Sequence, residues 1–406
     1  MKFYFTVFIL FCSTFTYAQT GKRIKIKKGV WIAQLQLNNS DVLPFQLEIV
    51  DNNTLTVLNG DERIRLSAPE VKNDSIHVRF PFFNSEMVFK LHKKKSLSGY
   101  WINYNKGNNY RIPLEGKSGY VTRFATTSKG SCDVNGRWKI TFEPGTESAY
   151  PAVGIFEQQA GSNRVFGTFL TETGDYRFLE GNCSSDSMFL SCFDGSHAFL
   201  FKARKSGDSL YGQFFSGKHW SCDWVGEKNA NFELPSPESL TYVKEDEALR
   251  FSLKTLAGEE FNYPNPEYNG KVVIIQIMGS WCPNCLDETQ YYKSLYTTYH
   301  SRGLEVISIG YETGESFEEW AANITRLKNK LNLDFTFLVG GPANKGLASD
   351  HFKMLNEVIS FPTSIFIGRD GQVKRVHTGF NGPGTGAYYQ EYVSKTNALI
   401  ESMLSQ

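Results

Sequence analysis

Residues 271–278 form a continuous apolar run with one polar break, and shortly afterwards comes Trp281-Cys282-Pro283-Asn284-Cys285. Such a run reads as a strand buried on both faces, which requires helices packed on both sides of its sheet. Pro283 suits a first helical turn, where its missing N–H has no intrahelical partner. A helix is therefore expected over 283–299. Further apolar runs at 304–309, 335–339, 364–367 and 373–377 read as strands. Residues 316–331 and 387–404 read as helices. The alternation β-α-β-α-β-β-α from about residue 245 predicts a layered α/β domain.

The two thiols of the motif lie three residues apart at a helix start, so they face the same way. Cys282 sits at the open end, where free backbone N–H groups and the helix dipole favour a thiolate. Cys282 is the candidate attacking sulfur, and Cys285, one turn on and buried, the resolving one. A zinc site would need two more ligands at close spacing, and none lies near in sequence.

The first half of the chain has a different pattern. A length of 406 residues implies two or three domains. Residues 20–234 show short alternating runs, at 31–37, 45–50, 76–80, 87–91 and 199–202, separated by turn signals such as Asn59-Gly60-Asp61 and Thr173-Gly174-Asp175. No capped helical period occurs there, so the region is expected to be all-β, a barrel or a sandwich. It also reads as a duplication. Gly29-Val30-Trp31 matches Gly136-Arg137-Trp138, 107 residues later, and Ser96-Leu97-Ser98-Gly99 matches Ser209-Leu210-Tyr211-Gly212, 113 later. The two units are placed at 20–125 and 126–234. Their Gly-x-Trp openings resemble lipocalin or streptavidin-like barrels, although a scaffold or docking role is preferred over ligand binding. The polar, Pro/Ser-rich segment 235–244 reads as a linker to a domain spanning 245–406.

Residues 1–19 read as a signal peptide: Lys2, an apolar stretch 3–15, then Ala18 near the cut. The apolar stretch is shorter than the ~20 residues of a spanning helix. An exported protein is expected, periplasmic in a bacterium or associated with the membrane. Of seven cysteines, Cys12 would leave with the signal. Cys132, Cys183, Cys192 and Cys222 read as structural disulfide candidates. Cys132–Cys222 is suggested by neighbouring end strands and Cys183–Cys192 by flanking one turn, with all three pairings open. The near balance of 43 basic and 42 acidic residues argues against a nucleic-acid partner.

At these residues the C-terminal region resembles the thioredoxin superfamily, and more narrowly the TlpA/ResA-like exported thiol-disulfide oxidoreductases. The resemblance rests on the Cys282/Cys285 motif after a buried strand, on Glu288 three residues later, and on Phe361-Pro362-Thr363 before a strand, followed by Asp370-Gly371. It implies a thioredoxin-fold domain whose Pro362 is cis. The Phe361 backbone would then pair with substrate, Trp281 would line the thiolate, and Glu288 would relay a proton for Cys285. It also implies that the redox-active disulfide replaces any cofactor or metal, that the substrates are exported proteins with disulfides, and that a membrane or periplasmic thiol donor supplies electrons. Gln276 stands where thioredoxin carries a buried aspartate. Pro283-Asn284 lacks the basic residue of strongly oxidising relatives, which favours a reductant or an exchanger of moderate potential. Two other functions are weighed: a thiol peroxidase, which would want Thr-x-x-Cys in place of Gly279-Ser280-Trp281-Cys282, and an adaptor whose β-region binds a ligand or partner. The glycine-rich loop 379–386 reads as a shaped partner contact. His351 and His377 read as packing or surface residues.

Overall fold

The computed structural model describes residues 25–107, 109–119, 122–125, 132–244 and 248–406. The expected signal segment lies outside them.

Nine antiparallel strands, from Gly29–Gln36 to Arg111–Ser118, form the first sheet. The first and last strands pair, with Trp31 opposite Ser118, as they would in a barrel. The edges Glu62–Arg65 and Glu70–Lys72 are not paired with each other, so the sheet curls without closing. The second unit does close. Eight strands make a ring in which Trp138 faces Lys228, Val153 faces Leu170 and Arg164 faces Asn182. The two units share local detail. Gly29 and Gly136 have φ of 107° and 100°. Each following indole donates to the carbonyl four residues back, Trp31 to Lys27 at 2.8 Å and Trp138 to Val134 at 2.9 Å.

The closed barrel is filled by its own side chains. Trp138, Phe142, Phe169, Phe201 and Trp224 are fully buried. Phe201 stacks on Phe214 at 4.2 Å and on Phe169 at 4.5 Å. Its interior is thus a packed core. The open unit buries its core against the barrel's outer wall, through Phe193. That ring lies 4.4 Å from Phe45, 5.4 Å from Phe80 and 5.1 Å from Trp101. Asn59 holds the Phe193 backbone with Nδ2 to the carbonyl at 3.0 Å and Oδ1 on the N–H at 3.3 Å. The buried Arg123 adds bonds to Leu58, Ser191 and Glu180.

The disulfide expectation needs correction. Cys132 is bonded to Cys183, with Cα atoms 5.8 Å apart, whereas Cys192 and Cys222 are free thiols. Register explains why. Trp138 pairs with Lys228, so Cys222, at the start of its strand, lies at the far end of the ladder, where Glu143 donates to Asp223. In the hairpin after Cys183 the residue opposite is Met188, four positions short of Cys192. Burial raises the Cys192 thiol well above its usual range and that of Cys222 to about 11, so neither is a ready nucleophile.

The C-terminal sheet has seven strands in the order Glu260–Tyr263, Phe251–Thr255, Thr336–Pro342, Leu304–Glu312, Val272–Met278, Thr363–Ile367, Val373–Thr378. The middle three pair in parallel and the rest antiparallel. Every residue of Val272–Met278 is buried. The helices are Pro283–Tyr299, Phe317–Leu331, Lys345–His351 and Ala387–Leu404. The hairpin 251–263 and the short helix Lys345–His351 were not anticipated, since each is too short to show a period. The connecting segment is packed against this domain. It contains the turn Pro237–Leu240, Glu238 bonds His377 at 3.3 Å, and Val243 bridges to Leu355. Among the described residues no helix is long and apolar enough to cross a membrane.

Candidate active site

The buried strand Val272–Met278 delivers the chain to the helix Pro283–Tyr299, and Cys282 is that helix's N-cap. The Cys285 N–H donates to Cys282 Sγ at 3.2 Å. Cys282 Sγ lies 3.7 Å from the Phe361 carbonyl, and the Phe361–Pro362 bond is cis. Cys282 is 8% exposed and Cys285 fully buried, and both are free thiols. Burial raises the Cys285 thiol well above its usual range, and the neighbouring Cys282 adds to this.

Glu288 is fully buried beneath the pair. Its Oε2 accepts from Gln276 Nε2 at 2.9 Å; its Oε1 accepts from Tyr292 at 3.0 Å, Ser364 at 3.1 Å and Tyr392 at 3.4 Å. Burial pushes its carboxyl up to about 7, against these hydrogen bonds. Gln276 also reaches the Cys285 carbonyl at 3.4 Å, so the position without the aspartate still links Cys285 to a carboxyl group. Trp281 is fixed by its Nε1 bond to the Tyr311 carbonyl at 2.9 Å and meets Phe361 edge to face at 6.3 Å.

Several contributing residues escaped the sequence reading. Glu312, at the end of the next strand, accepts from the Ser280 N–H at 2.7 Å and its hydroxyl at 2.6 Å, pinning the loop before Trp281. Burial pushes that carboxyl to about 7 as well. Asn284, inside the motif, bonds the Phe380 carbonyl at 3.1 Å and Asp175 of the barrel at 3.4 Å. Asp287 pairs with the buried Arg177, which also contacts Glu62 at 2.8 Å and Asp194 at 3.6 Å. Desolvation pushes Asp287 to about 6 in spite of Arg177. No local pattern announces these partners: Glu312 lies 32 residues from Ser280, and the partners of Asn284 and Asp287 lie about a hundred residues away. The glycine-rich loop packs on the barrel of the same chain, where the Gly382 N–H donates to Asp175 at 2.6 Å. His377 is buried on Glu238, and His351 bonds Tyr311 at 2.9 Å. Among the described residues no cluster of three or more His, Cys, Asp or Glu is arranged to hold a metal.

Known proteins match the region that carries this site. Residues 245–376 match the AhpC/TSA family. The thiol-disulfide oxidoreductase ResA of Halalkalibacterium halodurans is 28% identical over 135 residues, 33% of this chain and 68% of its own. The thioredoxin-like protein YneN of Bacillus subtilis is 25% identical over 148 residues, 36% of this chain and 79% of its own. A solved thiol:disulfide interchange protein of the thioredoxin family from Chlorobium tepidum TLS aligns with 43% of this chain and 99% of its own, at 19% identity and a TM-score of 0.30. The C-terminal region of this chain is thus similar to the AhpC/TSA family and to thiol-disulfide oxidoreductases of the ResA kind.

Proposed function

We propose that the protein is a thiol-disulfide oxidoreductase that reduces or exchanges disulfides of exported proteins through Cys282 and Cys285. The observation that carries this reading is the Cys282 sulfur at a helix N-cap, 3.2 Å from the Cys285 N–H and 3.7 Å from the Phe361 carbonyl. The Cys282 thiolate attacks one sulfur of a substrate disulfide, forming a mixed disulfide and expelling a substrate thiolate. Cys285 then loses its proton towards the carboxyl network of Glu288 and attacks Cys282. The second substrate thiolate leaves, and the Cys282–Cys285 disulfide retains the two-electron oxidation. A membrane or periplasmic thiol donor restores the dithiol. The segment 1–19 supports export.

The test is the equilibrium potential of the pair against glutathione, with Cys285→Ser as control. A value near or below about −250 mV supports a reductant; one near about −120 mV marks an oxidant and reverses the proposed direction. No exchange at all refutes the reading. The match to the AhpC/TSA family makes peroxide the second substrate to try, and rapid peroxide consumption without disulfide exchange favours a peroxidase.

A further inference from the structure

Two segments of the closed barrel reach over the dithiol. The first is the turn 171–177. Its Thr173 carbonyl accepts from Ser360 Oγ at 3.4 Å, immediately before Phe361. Gly174, at φ +144°, lies so close to Asn284 that a Cβ there would be 2.5 Å from its Nδ2. Asp175 binds Asn284 and the Gly382 N–H, and Arg177 closes the turn onto Asp287. The second segment is the loop 194–197, shaped by Asp194 Oδ1 accepting from the Ser196 and His197 N–H groups at 2.8 and 2.6 Å. From this loop Ser196 Oγ donates to the Trp281 carbonyl at 3.0 Å.

These contacts fall on both sides of Cys282, at residues 281 and 284. They also engage the segment before Pro362 and the loop after residue 379. An extended polypeptide pairing along Phe361 must enter among the same loops. The contacts are hydrogen bonds and one ion cluster, which water can replace, and a polar joint between units permits relative motion. The Phe193 joint between the two β-units is apolar and well packed, so the β-region moves as one body.

We propose that the barrel is a built-in cover for the dithiol: the turn 171–177 and the loop 194–197 hold the substrate groove shut, and protein disulfides react only when this cover lifts. The inference rests on reading Cys282 and Cys285 as the redox pair, and it assigns the duplicated β-region a gating role. Activity towards proteins is then limited by the open fraction, as for any site populated only in a minor state.

The test compares full-length wild type with Gly174→Ala, which wedges the turn away from Asn284, and with Ser196→Ala, a mild change that keeps the fold. Three quantities are measured: the glutathione equilibrium of the pair, the rate at which iodoacetamide labels Cys282 in the reduced protein (read by peptide mass, since Cys222 is half-exposed), and the rate of insulin reduction. Expected are an unchanged equilibrium and faster labelling and insulin reduction, by about tenfold for the wedge. Unchanged or slower labelling and reduction in both variants, with the equilibrium intact, overturns the cover. Loss of glutathione exchange in the wild type instead overturns the redox reading itself.

Discussion

Glu288→Gln isolates the electrostatic cost of the carboxyl buried near Cys282 and Cys285. Glu288 is fully buried, and its proton is held up to about pH 7 against an ordinary value of 4.5. At ~1.36 kcal/mol per pH unit, that difference corresponds to about 3 kcal/mol. The folded state takes up a proton relative to the unfolded state between about pH 4.5 and 7. Stability from this group is therefore greatest at low pH and is lost as pH rises through 7, with roughly 2.5 kcal/mol of the change between pH 5 and 8.5. Glutamine imitates the protonated acid at every pH. The variant should therefore lie close to wild type at pH 5 and be more stable at pH 8.5. A chain of three units does not unfold in one step, so the assay is urea unfolding read by hydrogen exchange of peptides from Val272–Met278. A stability gap that stays flat with pH, or opens in the opposite direction, refutes the assignment of a buried, high-affinity proton to Glu288. The same substitution should slow resolution of a trapped mixed disulfide by Cys285, by about a hundredfold if the carboxyl is the proton acceptor.

Phe193→Ala should cost about 3–5 kcal/mol at the joint between the β-units, read as a lower urea midpoint for both. Cys132→Ser should cost up to about 4 kcal/mol, because the Cys132–Cys183 bond closes a loop of sequence separation 51. Cys192→Ser, which breaks no bond, should leave glutathione exchange at Cys282 unchanged. Arg177→Met should destabilise the assembly by about 3–5 kcal/mol, since it leaves Glu62, Asp194 and Asp287 buried without their shared cation. Unchanged midpoints in that variant would refute Arg177 as the tie between the three units.

What the sequence made legible is what short-range pattern encodes. The helix Ala387–Leu404 has the expected bounds, and Val272–Met278 is the expected strand, because periodicity and unbroken apolarity are local properties. The Cys282/Cys285 motif stood out for the same reason: it is five consecutive residues. Register, by contrast, is a relation between distant segments. That is why the cysteine pairing was open on paper, and why nothing local showed that Arg164 would meet Asn182 and close one barrel while Glu62–Arg65 and Glu70–Lys72 leave its duplicate open. Phe193 shows the same limit, since its role is visible only in the folded chain. Ser191, Cys192 and Phe193 are buried in succession on a strand that should alternate, which is the mark of a strand covered on both faces. The ring fills the gap in the open unit, so the two halves of the duplication need each other. The segment 194–197 that follows it, and the turn 171–177 on the same barrel, are then held rigidly enough to reach residues 281 and 284. Asn284 fits this chain of causes. Between the two cysteines this protein carries an amide that bonds both Asp175 and Phe380. Asn284 is thereby engaged in docking the barrel, which ties the cysteine pair to the β-region through one of the two residues that separate the cysteines.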